Sequence, residues 1–403
     1  MTGVVVTGIG ALTSAGLGHE VLRQRAAEGA PARRDAVRTL PAPPGQPQAA
    51  PVRLAALPPY DPAEHLGRRG LRTLSAESKA FGVAAVNACR HAGLPGSWEQ
   101  EPSVGVAAGT TSGGLEDYAA LFATRLARGV RGVNPAQGPQ TGLNAPASAV
   151  SILTGAAGPN LTLSTGRAAA LDALAAAARA IASGAATTML AGGVQLFGHA
   201  ELTARRRAGQ ELGPGGPGAE DGAGFGTVAG EAAVVLVLED AQVARARGAR
   251  PLARVLGAGS AFGPAATRPG QRAAHAALDE AGVAHTAPGA PTPPVFPAPA
   301  VDAAFGDCAG ATGAVQAALT VLGLHHGAMP DDTALVLTVE PAPTPEPTAS
   351  REPAASPQAP TAPRPATHTE PGGYAAALVL GTSRTGTPST GSTGPSPEGG
   401  HSA

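Results

Sequence analysis

The segment Ala232-Ala-Val-Val-Leu-Val-Leu-Glu239 constrains this chain more than any other. Successive side chains of a strand point to opposite faces, so a run without polar alternation cannot lie on a sheet with one wet side. It predicts a strand buried on both faces. The opening Val4-Val5-Val6-Thr7-Gly8-Ile9-Gly10 is a second such run, closed by glycines, and predicts a buried strand entering a tight turn. Further strands are predicted over 104–109, 187–193, 252–256, 333–339 and 374–381. Helical spacing marks 75–91, 168–183, 271–280 and 312–322 between them. Strands that alternate with helices and carry no polar face indicate an α/β fold with its sheets covered on both sides.

Composition narrows the chemistry. Lys+Arg 28 against Asp+Glu 29 gives a net charge of −1, which argues against a dedicated nucleic-acid binder. No apolar run reaches the ~18 residues of a membrane span, and no basic segment precedes the first apolar run, so a cytoplasmic protein is expected. Cys89 and Cys308 are too few for a disulfide framework or a four-cysteine zinc site. Lys79 is the only lysine, which leaves one candidate for any lysine-dependent mechanism. Proline-rich polar stretches at 31–62 and about 340–371 are expected to be loops, and 384–403 a floppy tail.

Several common sites are absent. The opening glycines lack the full G-x-G-x-x-G pattern and the acidic residue about 20 positions on that a dinucleotide needs. Ser75 stands four residues before Lys79, where a short-chain dehydrogenase requires a tyrosine. Gly109-Thr-Thr-Ser-Gly-Gly114 lacks the G-x-S-x-G order, so Ser112 is expected to be a turn residue rather than a nucleophile. His325-His326 has no carboxylate or cysteine cluster beside it and reads as a solvated loop or helix end. No cofactor and no metal is expected.

Longer segments carry a resemblance. Val4 to Gly18, Gly105 to Leu115, Gly158-Pro-Asn160, Ala191-Gly-Gly193 and Gly230 to Glu239 resemble, in order, the β-ketoacyl synthases of the thiolase fold. Pro139-Gln-Thr-Gly-Leu-Asn144 is similar to their P-S-T-x-x-N segment, with Thr141 and Asn144 at the matching positions. Gly306 to Ala318 parallels their G-H-x-x-G-A-A-G-A segment, and Gly372-Gly373 their G-F-G-G loop. The resemblance implies a five-layer α/β/α/β/α fold of two pseudo-symmetric halves, expected here over 1–245 and 246–383.

The family's catalytic groups are missing. Its nucleophilic cysteine falls on Arg167 and one of its two histidines on Asp307, while nothing like its N-x-H-G-T segment occurs between Ala281 and Ala304. A guanidinium is protonated at any physiological pH and has no lone pair to attack with. A synthase fold without this set is similar to a chain-length factor, the non-condensing subunit of type II polyketide synthases. That resemblance implies an active ketosynthase as heterodimer partner and an acyl carrier protein bearing the growing chain. It places Leu115, Tyr118 and Phe122, on one helix face, in the substrate tunnel, and Thr141 and Asn144 at the interface. Ordinary core packing is the other reading of the three tunnel residues. The competing function is an active acyltransferase of the same fold using Ser164 or Thr165. If Arg167 is buried it needs a partner, and family geometry points to Asp307.

Overall fold

The computed structural model describes residues 3–32, 36–40, 51–207, 228–264, 268–283, 295–296, 298–329, 331–340 and 372–383. The expected loop at about 340–371 and the tail 384–403 lie outside the described residues.

Nine strands carry the architecture: β1 (Val4–Thr13), β2 (Val104–Gly109), β3 (Asn160–Leu163), β4 (Thr188–Gln195), β5 (Ala232–Asp240), β6 (Ala253–Pro264), β7 (Val295–Phe296), β8 (Thr333–Glu340) and β9 (Gly372–Thr382). The helices that position the site are α1 (Ala76–Ala92), α2 (Leu115–Arg128), α3 (Ala145–Thr154), α4 (Ala169–Ala182), α5 (His199–Arg207), α6 (Pro269–Ala281), α7 (Ala298–Phe305) and α8 (Thr312–His325).

Among the described residues the strands pair in the order β7-β8-β9-β6-β1-β5-β4-β2-β3. Two arms leave the central antiparallel pair β1/β6. On one arm β1 meets β5 and β5 meets β4 antiparallel, and β4 meets β2 parallel. On the other, β6 meets β9 and β9 meets β8 antiparallel, and β8 meets β7 parallel. The two halves therefore repeat one topology.

Side-chain alternation sets the layers. Val234, Leu236 and Leu238 of β5 and Ala376, Leu378 and Leu380 of β9 all enter one cluster with Leu171 and Leu174 of α4 and Val315 and Leu322 of α8. The intervening Ala233, Val235 and Val237 pack instead with Phe81 and Val83 of α1, and Ala147 and Val150 of α3. Ala375, Ala377 and Val379 pack with Ala273, Ala277 and Leu278 of α6. The order is α1 and α3, sheet arm, α4 and α8, sheet arm, α6: five layers, as expected. The runs lack polar alternation because both faces of each arm are covered.

Two local expectations are corrected. Gly8 and Gly10 do not lead into a turn, since β1 continues to Thr13 with an irregularity between Val6 and Gly8. The 31–62 stretch is not all loop: Ala36–Arg38 and Val52–Ala55 pair as strands, and Val52 and Leu54 are buried. Short alternating segments flanked by prolines give too little periodicity to be read as strands.

Candidate functional site

The two helices of the central layer begin side by side, each preceded by a 3-10 turn, Gly166–Ala168 before α4 and Ala309–Ala311 before α8. Arg167 sits in the first of these. A cation beside a helix N-terminus is disfavoured by roughly 0.3–1 kcal/mol, so its charge is offset by other groups. Arg167 Nη1 donates to Asp307 Oδ1, and Nη2 donates to both oxygens of Asp302 at 3.0 and 2.8 Å. The three side chains are only 11, 10 and 13% exposed, in the order Arg167, Asp307, Asp302. The ion pair expected between Arg167 and Asp307 is present, and Asp302 joins it as a second acid.

Backbone geometry holds Asp307 in place. Its N–H donates to Val228 O at 2.7 Å, and Gly230 N donates to its carbonyl at 2.9 Å. Gly306 before it has φ 85, and a Cβ there would lie 2.6 Å from Val228 O, so the approach requires glycine. Ala309 N donates to Asp307 Oδ1 at 2.8 Å, tying the carboxylate to the turn that opens α8. Asp302 opens the last turn of α7.

The network continues away from Arg167. Arg205 Nη1 lies 4.0 Å from Asp307 Oδ2, and Arg205 Nε and Nη2 reach Glu201 Oε1 at 3.0 and 2.9 Å. Glu201 Oε2 accepts from Gln195 Nε2 at 2.8 Å and from Ser112 Oγ. Gln195 Oε1 accepts from Thr111 Oγ1. The Arg205 guanidinium stacks over Phe197, 4.8 Å from the ring centroid. Ser112 is thus tied to Glu201 and Gln195, and among the described residues it has no hydrogen bond to a histidine.

Burial dominates the acid–base behaviour. It raises the Asp302 carboxyl to about 6, against the pull of Arg167 and with added repulsion from Asp307. Arg167 is desolvated too, yet its two aspartates outweigh that and raise it further. The guanidinium stays charged, and both its Nη1 and its Nη2 donate to carboxylates. Burial pushes the Cys89 thiol up to about 12 and Cys308 well above its ordinary value, which disfavours the thiolate at both.

Thr165 Oγ1 donates to Asp172 Oδ2 at 2.5 Å, and Tyr374 OH donates to Asp172 Oδ1 at 2.9 Å. Burial raises Asp172, while these two hydrogen bonds pull the other way. Among the described residues no group of three His, Cys, Asp or Glu side chains could hold a metal.

Leu115, Tyr118 and Phe122 all lie on α2, whose Glu116 accepts from the N–H groups of Ala200 and Glu201 at the far end of the Arg167 network. Core packing does not explain Tyr118 and Phe122, which are 54 and 41% exposed, whereas Leu115 at the start of the helix is half-buried. Thr141 ends the 3-10 turn Pro135–Thr141 and donates to Gly138 O at 2.8 Å. Asn144 precedes α3 and donates to Ser148 Oγ at 3.1 Å. His325 is the last residue of α8 and His326 its cap, the helix-end reading made above.

Asp302, Arg205, Glu201, Gln195 and Thr165's partners Asp172 and Tyr374 were not singled out in the sequence. Asp302 lies five residues before Asp307 on a helix that no sequence pattern marks. The others come from separate elements, and no spacing rule connects them.

The family model for the β-ketoacyl synthase N-terminal domain matches residues 1–244. The 3-oxoacyl-(acyl-carrier-protein) synthase 2 of Vibrio cholerae is 33% identical over 211 residues, covering 50% of this chain and 50% of that protein. The enzyme of the same name from Staphylococcus aureus is 29% identical over 234 residues, 55% of this chain and 58% of its own. The chain spans about half the length of the curated relatives it matches. In fold it is similar to a β-ketoacyl synthase from Burkholderia phymatum, with TM-score 0.73 and 20% identity over 95% of this chain and 100% of that one. It is also similar to the ishigamide ketosynthase/chain length factor, with TM-score 0.70 and 21% identity over 94 and 99% of the two chains. No helix among the described residues is long and apolar enough to cross a membrane. With the family model matching well over half of the sequence and the five-layer architecture in place around it, the chain belongs to the β-ketoacyl synthase family.

Proposed function

We propose that this chain is a non-condensing ketosynthase-fold subunit, similar to a chain-length factor, which pairs with an active ketosynthase and shapes its acyl tunnel. The observation that carries the reading is Arg167, locked between Asp302 and Asp307 at the start of α4. Condensation by this family uses a nucleophile at that place, and a protonated, doubly paired guanidinium supplies none. The likeness in fold to a ketosynthase/chain length factor is consistent with this, and an acyl carrier protein would present the growing chain.

The surface supports a partner. The apolar face of α2 is uncovered, and Ile152 of α3 is 82% exposed. The rings of Tyr118 and Phe122 stack on each other, 6.3 Å apart at an 8° interplanar angle, rather than on the core. In the same half β3 pairs only with β2 among the described residues, which leaves a strand edge free. Exposed apolar surface of this kind and open edges mark interaction sites. We place the ketosynthase partner against this side, with Thr141 and Asn144 in the interface and Leu115, Tyr118 and Phe122 turned to the acyl chain.

Two outcomes are expected. Purified alone, the chain does not extend an acyl thioester with a malonyl carrier protein, whereas with an intact ketosynthase it forms a stable complex that does; extension at a normal rate by the partner-free chain overturns the reading. In that complex Phe122→Ala or Tyr118→Ala lengthens the product by at least one extension unit, read by mass spectrometry. An unchanged product from an intact complex removes these residues from the tunnel.

A second reading rests on the Thr165–Asp172 hydrogen bond, which sets a hydroxyl against a half-buried carboxylate beside the same helix start. It makes the chain an acyltransferase with a threonine nucleophile. Intact mass after incubation with an acyl thioester separates the two, since only the second gives a covalent acyl adduct that Thr165→Val abolishes.

A further inference from the structure

We propose that the cleft between the short helix Pro62–Leu66, α1 and α3 binds a small amphipathic carboxylate, with Arg90 on its head and Leu66, Val86 and Leu153 against its apolar tail. None of these residues belongs to the Arg167 network or to the exposed face of α2, so the site does not depend on the function proposed above.

The cleft has a volume of about 320 Å³, and its floor is aliphatic. Leu66 and Leu153 meet over Gly82 of α1, where a Cβ would lie 3.2 and 3.3 Å from their methyl groups, and Val86 follows one turn on. The loop after α1 adds Gly96 and Ser97, both exposed, at the rim. One turn beyond Val86 stands Arg90, and its guanidinium is held in place. Arg90 Nη1 donates to His65 Nδ1 at 3.2 Å and to Asn87 Oδ1 at 3.5 Å. Asn87 Nδ2 donates to the same His65 nitrogen at 3.2 Å and to Val83 O at 2.8 Å, which fixes which way its amide points. Since Nδ1 of His65 accepts from both, the ring carries its proton on Nε2 and offers a second donor. His65 is steadied in turn by Asp61, which caps its helix by accepting from Ala63 N at 2.8 Å.

Arg90 is the cation of this cleft, and no acid answers it. Among the described residues its Nε and Nη2 meet no carboxylate, and no acidic side chain lines the cleft. Glu64 and Glu99, the acids closest in sequence to the lining, are exposed and stand outside it. A guanidinium offers parallel N–H groups that match the two oxygens of a carboxylate. With Nη1 already fixed by His65 and Asn87, less side-chain freedom is lost when Nη2 and Nε take up a ligand. One cation with neutral donors suits a monoanion, and the aliphatic floor calls for a body that gains by leaving water. A bare anion would use the rim and leave the floor wet, while a neutral hydrocarbon would leave the guanidinium without a counter-charge. Clefts of this size, mostly apolar with a few fixed polar groups, are where small ligands bind.

Trp98 allows a local test on the full chain. It is the only tryptophan, it directly follows Ser97, and its N–H donates to Thr154 O at 2.6 Å, next to Leu153. Bromine quenches indole fluorescence only at close approach, so ω-bromooctanoate seated in this cleft dims Trp98, and the same acid bound elsewhere does not. Titration with ω-bromooctanoate, below the concentration at which it forms micelles, should quench Trp98 saturably. Arg90→Gln should raise the half-saturating concentration about tenfold, the scale of one charge-assisted hydrogen bond. The neutral ω-bromooctanol should be weaker on the native chain by a similar factor. Gly96→Leu, whose Cβ would start 3.6 Å from Val86 Cγ1, fills the cleft and should abolish the saturable signal. Arg72→Gln, at an exposed arginine outside the cleft, should leave the curve unchanged. Absence of saturable quenching, equal quenching by acid and alcohol, or an Arg90→Gln curve no weaker than that of Arg72→Gln overturns the proposal. So does a signal that survives Gly96→Leu.

Discussion

Replacing Arg167 by alanine is expected to destabilise the fold by about 3–5 kcal/mol near neutral pH, the range found when one partner of a buried ion pair is removed. The cost falls on what is left behind. Asp302 and Asp307 are each about a tenth exposed and lose their shared cation together. Arg205, 4.0 Å from Asp307 Oδ2, offsets part of one charge and none of the other. The sign of the pH dependence follows from Asp302, which burial already holds at about 6 with Arg167 present. Without the guanidinium its folded-state value rises further above the unfolded one. A group raised in this way contributes stability that is full below its unfolded value and is lost as pH rises through the folded one. The deficit of Arg167→Ala, measured by thermal unfolding, should therefore be largest above pH 7 and should shrink toward pH 5. Adding Asp302→Asn and Asp307→Asn should restore most of it. A variant as stable as the native chain at pH 7.5, or a deficit that grows on acidification, would show that the pair is not holding the helix starts together.

That prediction also marks how far the sequence reaches. Arg167 and Asp307 could be matched in advance because each stands in an ordered family segment, and the histidine and cysteine they replace are neighbours. Asp302 could not, because the stretch before it is atypical and proline-rich, and the sequence of 298–305 has no helical periodicity to announce α7. Carboxylates that meet through the third dimension leave no spacing in one: Glu116 and Glu201 come from two helices and converge only when α2 and α5 pack together. The strands were legible for the opposite reason. Covering both faces of a sheet arm demands uninterrupted apolar residues, and that demand is written into consecutive positions of β5 and β9. The setting of α2 was half legible: its apolar face shows in the sequence, but a face against the core and an exposed one look the same there, and only the structure shows that Tyr118 and Phe122 are exposed.

The glycines of β1 were misread for a related reason. G-x-G after an apolar run marks either a turn or a place where another backbone comes close, and sequence does not choose between them. The structure chooses the second, twice. A Cβ on Gly10 would lie 1.9 Å from Ala84 O and 2.6 Å from Ala88 N of α1. At the corresponding place in the other half, a Cβ on Gly259 would lie 2.3 Å from Ala273 O and 2.7 Å from Ala277 N of α6. These obstacles are helix backbone, which has no rotamer to yield, so the helix must lift from its strand. Gly10→Ala and Gly259→Ala should each cost at the upper end of the roughly 1–3 kcal/mol seen for overpacked cores, or beyond it. Alanine is otherwise the best helix former and a minor change in a strand, so nothing else in the substitution predicts such a loss. The two sites press on different helices in separate clusters, α1 and its neighbours for one and α6 for the other. Their costs should therefore add to within about 0.5 kcal/mol in the double variant. Gly138→Ala, whose Cβ meets nothing within 4 Å, is the control and should be near neutral. Chemical denaturation of the four variants gives the answer. If Gly10→Ala and Gly259→Ala cost no more than Gly138→Ala, the helices do not rest on these strands as described. If only one is costly, the two halves share a topology without sharing the contact that sets their outer layers.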